Sequence, residues 1–332
     1  MNKRIVASII AASILLIAIA FQSIGFFMNE SFSENKASML PGGQQPEEKI
    51  IERGSATKRI AQISLEGTIM NNPGSNPNPL GGGGYQHEQF IEKLETIKED
   101  NSIKGVLLYV NSPGGGVYES AEIHDQLQEI KEAGKTIYVS MGGMAASGGY
   151  YISAPAHRIF ASNETFTGSL GVIMQSINYQ ELANNFGVKF NTFKSGEFKD
   201  IMSPTKPMSD QERQIIQSLV DESYEEFVDV IAEGRNMPKD KVYDLADGRI
   251  YSGKQAVENG LVDEIGFQDD ALNALQKEIG GDPQVIEYKD NSIGAFFDLP
   301  LAKSLLPNSE IRFIEQLISN RQGPTLMYMY NE

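Results

Sequence analysis

The stretch KGVLLYVNSPGGG, residues 104–116, decides the fold class of this chain. Its first half is apolar on both faces, which is typical of a strand buried inside a parallel sheet. Its second half combines Pro113 with three glycines, and it leads directly into the helical pattern YESAEIHDQLQEIKEAG, residues 118–134. A buried strand followed by a tight turn and a helix predicts an α/β domain.

The same alternation continues on both sides of this stretch. Further strands are predicted at RIAQISLEGTI, TIYVSM, HRIFAS and VKFNTFKSG, residues 59–69, 136–141, 157–162 and 188–196. Further helices are predicted over residues 87–100, 209–234 and 252–260. The long one begins at Ser209 with Glu212 three residues later, the spacing of a capping box. We therefore predict one α/β domain over residues 58–290.

The N-terminus has the pattern of a membrane anchor. Residues 5–28 include no charged side chain, and at about 1.5 Å per residue they reach roughly 36 Å, enough for a hydrocarbon core of about 30 Å. Lys3 and Arg4 place the N-terminus in the cytoplasm by the positive-inside rule. We expect a single-pass anchor within residues 1–28 and an extracytoplasmic domain, although residues 18–20, Ala-Ile-Ala, resemble a signal-peptidase cleavage site.

Two segments flank the domain. Residues 29–57 include PGGQQPEEK, show little periodicity and are predicted to be a linker between membrane and domain. Residues 291–332 form a C-terminal extension that ends in the apolar run PTLMYMY, residues 324–330. That run either adds a strand to a neighbouring chain or lies in a cleft.

Composition excludes several classes of function. The formal charge of −16 argues against nucleic-acid binding, which requires basic patches to displace counterions from phosphates. The absence of cysteine excludes disulfides, thiolate nucleophiles and cysteine-ligated zinc. The three histidines match no metal-site spacing, so we expect neither a metal nor a cofactor.

Two glycine-rich turns at predicted strand ends are candidates for the site, since α/β folds place their sites there. In NSPGGG, residues 111–116, glycines allow bare backbone N–H groups to approach a ligand, as in an oxyanion hole, although a plain strand-to-helix turn has the same pattern. In MGGMAASGGYYISA, residues 141–154, Ser147 stands in a context close to the Gly-x-Ser-x-Gly nucleophile elbow. A small serine at a crowded junction is the structural alternative.

A nucleophilic serine needs a group that accepts its proton. His87 begins a predicted helix among polar neighbours, and His124 lies in an amphipathic helix near the core edge. His157, ten residues after Ser147, is the one histidine that stands near it in sequence. No downstream Asp–His pair follows it, so the sequence gives little support to a Ser-His-Asp triad.

A lysine is the alternative base, and the segment FKSGEFKDIMSP, residues 193–204, brings Lys194 and Lys199, with Lys206 just beyond. Lowering a lysine pKa from about 10.4 to roughly 7.5 costs about 4 kcal/mol, supplied mainly by desolvation. An apolar substrate would help by expelling water from the amine. Spacing alone does not choose among the three lysines.

Five motifs together resemble the signal peptide peptidase A (SppA) family of bacterial serine proteases in its short, single-domain form. These motifs are VNSPGG, MAASGGYYIS, TGSLGVI, KSGEFKD and GRIYSGKQAVENGLVDEIG. The resemblance covers about residues 58 to 285. It implies a Clp-protease/crotonase-like α/β fold of repeated β-β-α units, here preceded by one N-terminal transmembrane helix.

The resemblance also implies the roles of individual residues. Ser147 would be the nucleophile and Lys199 the general base, with Ser169 orienting the lysine. The oxyanion would be held by the backbone amide of Gly148 together with an amide of the Ser-Pro-Gly-Gly turn, at Gly114 or Gly115.

The implied function is a membrane-anchored serine endopeptidase that cleaves remnant signal peptides and other small or unfolded polypeptides. Members of the family form dome-like homo-oligomers whose subunits together line the binding grooves, so a homo-oligomeric ring or dome at the cell membrane is expected. Two alternatives remain from the residues: a crotonase-like acyl-CoA enzyme, and a non-catalytic scaffold tethered to the membrane.

Overall fold

The structure is a computed structural model that describes residues 48–71, 85–288 and 326–330. The predicted anchor, residues 29–47 of the predicted linker and most of the C-terminal extension lie outside the described residues. The last part of the predicted linker is wrong, because residues 48–52 and 55–57 are in strands of the domain. Within the described ranges, no helix is both long enough and apolar enough to cross a membrane.

In the described part of the chain, nine strands form one mixed sheet in the order β1-β10-β2-β3-β5-β6-β9, with β7 beside the end of β5 and β8 beside β7. A second, two-stranded sheet pairs β11 with β4. The strands are β1 Glu48–Glu52, β2 Ser55–Glu66, β3 Ile103–Ser112, β4 Gly114–Gly116, β5 Thr136–Ala146, β6 Arg158–Ala161, β7 Phe166–Gly168, β8 Ile250–Ser252, β9 Glu264–Ile265, β10 Pro283–Tyr288 and β11 Met327–Met329.

Helices cover both faces of the large sheet. They are α1 His87–Glu99, α2 Val117–Glu132, α3 Gly148–Ser153, α4 Gln180–Asn185, α5 Asp210–Gly234, α6 Lys239–Leu245, α7 Gly253–Asn259 and α8 Gln268–Ile279. The capping box predicted at Ser209 and Glu212 is present at the start of α5. The helices predicted over residues 87–100, 118–134, 209–234 and 252–260 correspond to α1, α2, α5 and α7.

Strand β3 is buried on both faces, as its sequence predicts. Successive side chains of a strand point to opposite faces, so Leu108 joins the larger core with the inward stripes of α1 and α2, exemplified by Leu94 and Leu127. Leu107 points the other way and packs with Leu275 of α8 in a smaller core. These layers confirm the α/β class.

The parallel arrangement brings three strand ends together. Strands β2, β3, β5 and β6 are parallel neighbours, and β7 runs parallel to the last residues of β5. The ends of β3, β5 and β7 lead respectively into β4, into Ser147 and into Ser169. The two glycine-rich turns and Ser169 therefore lie together at one edge of the sheet.

One predicted strand is wrong. Residues 188–196 are irregular and almost wholly exposed, and Phe193 is 97% exposed. Their alternating apolar side chains resemble those of a strand, but no neighbouring strand satisfies their backbone groups within the described chain. The whole of residues 171–208, which we call the arm, contains only the short helix α4.

Candidate active site

Ser147 lies at a sharp bend between β5 and α3. Its backbone angles are φ 54° and ψ −116°, a left-handed conformation that L-residues rarely adopt. Its N–H donates to the carbonyl of Gly168 (2.8 Å), and its own carbonyl accepts the N–H groups of Tyr150 and Tyr151 (2.9 Å each). A strained backbone fixed by hydrogen bonds on both sides presents a side chain in one direction, as a nucleophile elbow requires.

The Ser147 hydroxyl has no bonded partner of its own. The residue is 1% exposed, and its Oγ makes no hydrogen bond within the described chain. A buried hydroxyl without a partner is uncommon, because the unmet hydrogen bond costs about 1–3 kcal/mol. Such a group is expected where a reaction partner completes the site.

The three glycines proposed for the oxyanion hole lie against one another beside this serine. A β-carbon placed on Gly114 would lie 2.6 Å from the backbone nitrogen of Gly148. On Gly115 it would lie 1.9 Å from the carbonyl oxygen of Ile69, and on Gly148 it would lie 2.7 Å from Ser120 Oγ. Only glycine fits at these positions, so no side chain covers the backbone of this part of the groove.

The last described strand, β11, occupies this groove. It runs antiparallel to β4 with Tyr328 opposite Gly115. On its other edge, Met327 and Ile173 exchange two backbone hydrogen bonds of 3.0 Å each. The tail is thus held as an extended strand between two backbone edges, which is how a groove binds peptide by strand addition.

The carbonyl of Tyr328 points at the candidate oxyanion hole. Its oxygen would lie 2.0 Å from a β-carbon on Gly114 and 3.1 Å from one on Gly148. On either side of it, Val117 donates to Leu326 (3.3 Å) and Tyr330 donates to Pro113 (2.9 Å). Hydrogen-bonded pairs alternate in an antiparallel ladder, so the pair between them, formed by residues 115 and 328, is also hydrogen-bonded.

The Tyr328 side chain fills a deep aromatic pocket. Its ring stacks on Tyr151 (4.8 Å between centroids) and meets Phe227 at 4.6 Å. Its hydroxyl donates to the carbonyl of Ser223 (2.9 Å), and burial raises the pKa of the Tyr328 phenol. The pocket therefore accepts a large aromatic side chain with a polar tip, a property that no sequence motif predicts.

Ser169 follows β7 directly and is adjacent to the Ser147 turn. Its neighbour Gly168 accepts the Ser147 N–H, and its own N–H donates to the carbonyl of Arg249 (2.7 Å). Ser169 also has a positive φ of 49° and is 8% exposed. The structure thus places Ser169 beside the Ser147 turn, although no hydrogen bond links it to a lysine in the described chain.

The three candidate lysines differ in their partners. Lys194 and Lys206 both form ion pairs with Asp200 (2.8 and 3.0 Å), and Lys206 also pairs with Glu212. Hydrogen bonds that Lys206 donates to Glu212 and Asp200 raise the pKa of Lys206, the opposite of what a general base needs. Lys199 makes no side-chain ion pair or hydrogen bond to the described residues and is exposed on the arm.

The structure does not bring Lys199 into contact with Ser147 within one chain. Since Ser147 Oγ has no hydrogen-bond partner among the described residues, neither this lysine nor a histidine completes the site in the isolated chain. The two residues instead lie on separate elements, the β5–α3 turn and the exposed arm.

His157 is too far from the nucleophile to be its base. Its Nδ1 accepts the backbone N–H of Ile137 (3.0 Å) near the start of β5, whereas Ser147 follows the end of that strand. Ten strand residues at about 3.3 Å each span on the order of 30 Å. A triad that includes His157 is therefore excluded.

The other two histidines are structural. His87 is 5% exposed, which corrects its reading as a solvated helix start. It is hydrogen-bonded to the Tyr85 hydroxyl (2.5 Å) and to the Glu122 carboxylate (2.8 Å). His124 meets the Tyr151 ring edge-on at 5.3 Å, and burial lowers its pKa.

Comparison with known proteins places the chain in a family. It is 45% identical over 300 residues to a putative signal peptide peptidase SppA of Enterococcus faecium, covering 89% of this chain and 87% of the relative. The chain belongs to the signal peptide peptidase A family, peptidase family S49. Residues 129–281 match the description of peptidase family S49, and residues 84–165 match that of Clp protease.

More distant members of the family are longer than this chain. The chain is 32% identical over 270 residues to Protease 4 of Haemophilus influenzae, covering 81% of this chain but 43% of that protein. It is likewise 32% identical over 209 residues to the chloroplastic serine protease SPPA of Arabidopsis thaliana, covering 63% of this chain and 30% of that one. Among solved structures, it is similar to a ClpP1 variant of Listeria monocytogenes (TM-score 0.41, 21% identity, 64% of this chain, 94% of that chain).

Membership of the SppA family confirms two expectations from the sequence. The protein is a serine protease, and its fold is the Clp-protease-like α/β fold with a mixed sheet. The family therefore favours the protease over the acyl-CoA enzyme and the scaffold.

Proposed function

We propose that this protein is a membrane-anchored serine endopeptidase that cleaves remnant signal peptides and other small or unfolded polypeptides. In this proposal Ser147 is the nucleophile and Lys199 the general base. The N-terminus lies in the cytoplasm, the chain crosses the membrane once, and the protease domain lies outside. The anchoring rests on the uncharged run of residues 5–28 and the two basic residues before it.

The observation that carries the proposed chemistry is the placement of the Tyr328 carbonyl. An extended peptide lies in the groove with one carbonyl oxygen against Gly114 and Gly148, directly beside the strained, unpartnered Ser147. The tail continues on both sides of that carbonyl, from Leu326 to Tyr330. A groove that holds residues on both sides of the reacting bond suits an endopeptidase.

The proposed reaction follows from these positions. Neutral Lys199 accepts the proton of the Ser147 hydroxyl while Oγ attacks the peptide carbonyl. The backbone N–H groups of Gly115 and Gly148 donate hydrogen bonds to the developing oxyanion. Protonated Lys199 then gives its proton to the leaving amine, and a water molecule repeats the sequence on the acyl-enzyme.

Ser169 would orient the lysine from the opposite side of the Ser147 turn. The lysine must be neutral near pH 7, which costs about 4 kcal/mol relative to a solvated lysine. An apolar substrate supplies part of this by excluding water, and this requirement agrees with signal peptides as substrates.

We further propose that a neighbouring copy of the chain supplies Lys199 within a homo-oligomeric ring. Lys199 is exposed on the arm, and its side chain has no hydrogen bond or ion pair to the part of the chain that the structure describes. The arm also exposes large apolar side chains, among them Phe186 at 79% and Phe193 at 97%. A contiguous exposed apolar surface marks an interface, and an interface there would bury and desolvate the lysine.

The test is peptidase activity of the full-length protein in detergent micelles on an apolar peptide. Ser147→Ala and Lys199→Ala should each lower kcat by at least about 10³-fold, because each removes a group that acts in the transition state. Lys194→Ala is the matched control and should retain far more activity, since that lysine is ion-paired to Asp200. Wild-type activity in both Ser147→Ala and Lys199→Ala would refute the dyad.

A further inference from the structure

We infer that Ser112 is a positioning residue that holds the Gly114–Gly115 turn in the orientation the oxyanion hole needs. The inference rests on the proposed serine-protease chemistry. Ser112 ends β3 and is fully buried. Its effect is exerted through the backbone of the turn that follows it.

The hydroxyl of Ser112 is hydrogen-bonded to the backbone N–H of Gly114. Its Oγ accepts the Gly114 N–H (3.1 Å), a serine turn of the kind that folds a side chain back on the backbone two residues later. Gly114 has a φ of +98° in this turn. Since its N–H is already bonded to Ser112, Gly114 is not the oxyanion donor, which decides between the two glycines that the sequence left open.

The orientation of the peptide unit between Gly114 and Gly115 is then fixed by two hydrogen bonds of Gly114, one through its N–H and one through its carbonyl. The Gly114 carbonyl accepts the N–H of Ile69 (2.9 Å). In a trans peptide the C=O and the following N–H point in opposite directions. The N–H of Gly115 therefore points away from Ile69 and into the groove, towards the Tyr328 carbonyl opposite it.

Ser112 also touches the element that provides the second donor. A β-carbon on Gly149 would lie 2.8 Å from the Ser112 carbonyl oxygen and 3.5 Å from the Ser112 β-carbon. Gly149 immediately follows Gly148 in α3. One residue thus holds the Gly115 donor through its side chain and packs against the Gly148 donor through its main chain, so it sets the spacing between them.

Removal of the hydroxyl should weaken transition-state binding while leaving substrate binding largely intact. Without the hydroxyl, the buried Gly114 N–H has no hydrogen-bond acceptor, which is costly. We expect the backbone to rotate until this N–H is bonded again, and this rotation changes the direction of the Gly115 N–H. Loss of a whole oxyanion donor lowers kcat by about 10²–10³-fold, and a misdirected donor should cost less, roughly 10–100-fold. We expect KM to change less than about threefold, because the ladder to β4 and Ile173 still binds the peptide.

The experiment compares Ser112→Ala with Ser153→Ala in the full-length, micelle-solubilised enzyme. Ser153 is an equally buried serine of α3, and its Oγ donates to the Gly149 carbonyl (2.6 Å) of its own helix rather than accepting the Gly114 N–H. Both variants are measured for kcat, KM, Tm and affinity for a peptide boronate, whose tetrahedral adduct places an oxygen in the hole. Ser112→Ala should lose kcat and boronate affinity by similar factors, and Ser153→Ala should lose neither.

Equal kcat in the two serine variants, or a Ser112→Ala loss confined to KM or to Tm, would overturn the inference. If Ser112→Ala does not fold, Ser112→Cys, which keeps the volume but is a weak acceptor, is judged by the same criteria. If the proposed function itself is wrong, the result is distinguishable, because Ser147→Ala then retains wild-type activity regardless of the effect of Ser112→Ala.

Discussion

At the scale of single residues, the site is built on a conformation that the nucleophile itself disfavours. Ser147 has φ 54° and ψ −116°, a combination that glycine adopts readily and other residues adopt at a cost of roughly 1–3 kcal/mol. The backbone N–H and carbonyl of Ser147 are both bonded to neighbours, and these bonds hold it there.

This strain predicts that Ser147→Gly is more stable than Ser147→Ala. Glycine relieves the strain but gains freedom in the unfolded chain, so we expect a net gain of about 1 kcal/mol, or roughly 2–4 °C in Tm. Both variants lack the hydroxyl, so differential scanning calorimetry on the pair isolates the backbone effect. Equal Tm values would mean that the bend at residue 147 is not strained in solution.

The sequence predicted which residues approach the site but not how they are bonded. The glycines of NSPGGG and the serine of MAASGGYYIS are visible as motifs because tight turns restrict residue choice. Whether the free amide belongs to Gly114 or Gly115 depends on the hydroxyl of Ser112 and the N–H of Ile69. Ile69 is distant in sequence and has no motif of its own, so the choice required the fold.

At the scale of elements, the arm is where a prediction from the sequence is wrong, because the strand predicted over residues 188–196 is absent. Its β-rich residues, among them Val188, Phe190 and Phe193, predict a strand, yet these side chains are exposed in an irregular segment. An apolar pattern in the sequence indicates which side chains tend to be buried, but it does not indicate whether the same chain or another chain buries them. A surface meant for another copy of the chain has the same apolar character as a buried strand.

A charge cluster gives the arm its local shape. Asp200 accepts ion pairs from Lys194 and Lys206, and Lys206 continues to Glu212 at the start of α5. Hydrogen bonds from Lys194 and Lys206 lower the pKa of Asp200, so its carboxylate remains charged at neutral pH. Asp200 directly follows Lys199, and the cluster therefore ties the proposed base to the rigid helix α5.

We predict that Asp200→Asn lowers kcat by about 3–30-fold while Tm changes little, because exposed ion pairs contribute little stability and small misplacement of a base is costly. Glu197→Gln is the matched control, because Glu197 is a carboxylate of the same loop whose side chain forms no ion pair with the described residues. The rates are measured on the same apolar peptide. Indistinguishable rates in the two variants would show that the cluster does not position Lys199.

At the scale of the whole molecule, the described residues of one chain leave the proposed site incomplete. The proposed nucleophile, the proposed oxyanion donors and the peptide groove lie together, but Ser147 Oγ has no partner among the described residues. The sequence motifs identify both members of the proposed dyad without indicating whether they belong to one chain. A motif indicates the chemistry of a few neighbouring residues. Whether Ser147 and Lys199 meet within one chain or between two chains depends on how the chains assemble.

If a neighbouring copy supplies the base, two inactive variants should restore activity together. Co-expressed Ser147→Ala and Lys199→Ala chains that mix at random in a ring give about one quarter of sites an intact serine from one chain and an intact lysine from the next. Peptidase activity of the co-purified assembly should therefore reach about a quarter of the wild-type value. Mixed assemblies with no more activity than either parent would instead place both residues in the same chain.

The crowded glycines also limit how this sequence can drift. At Gly115, Gly148 and Gly149, the first carbon of any side chain would come within 3 Å of Ile69, Ser120 or Ser112. Almost every nonsynonymous nucleotide change at these codons is thus expected to be eliminated by selection. The exposed apolar side chains of the arm, such as Phe186 and Phe193, meet no such backbone restriction. We therefore expect related sequences to differ at these positions while the turn beside Ser147 stays unchanged.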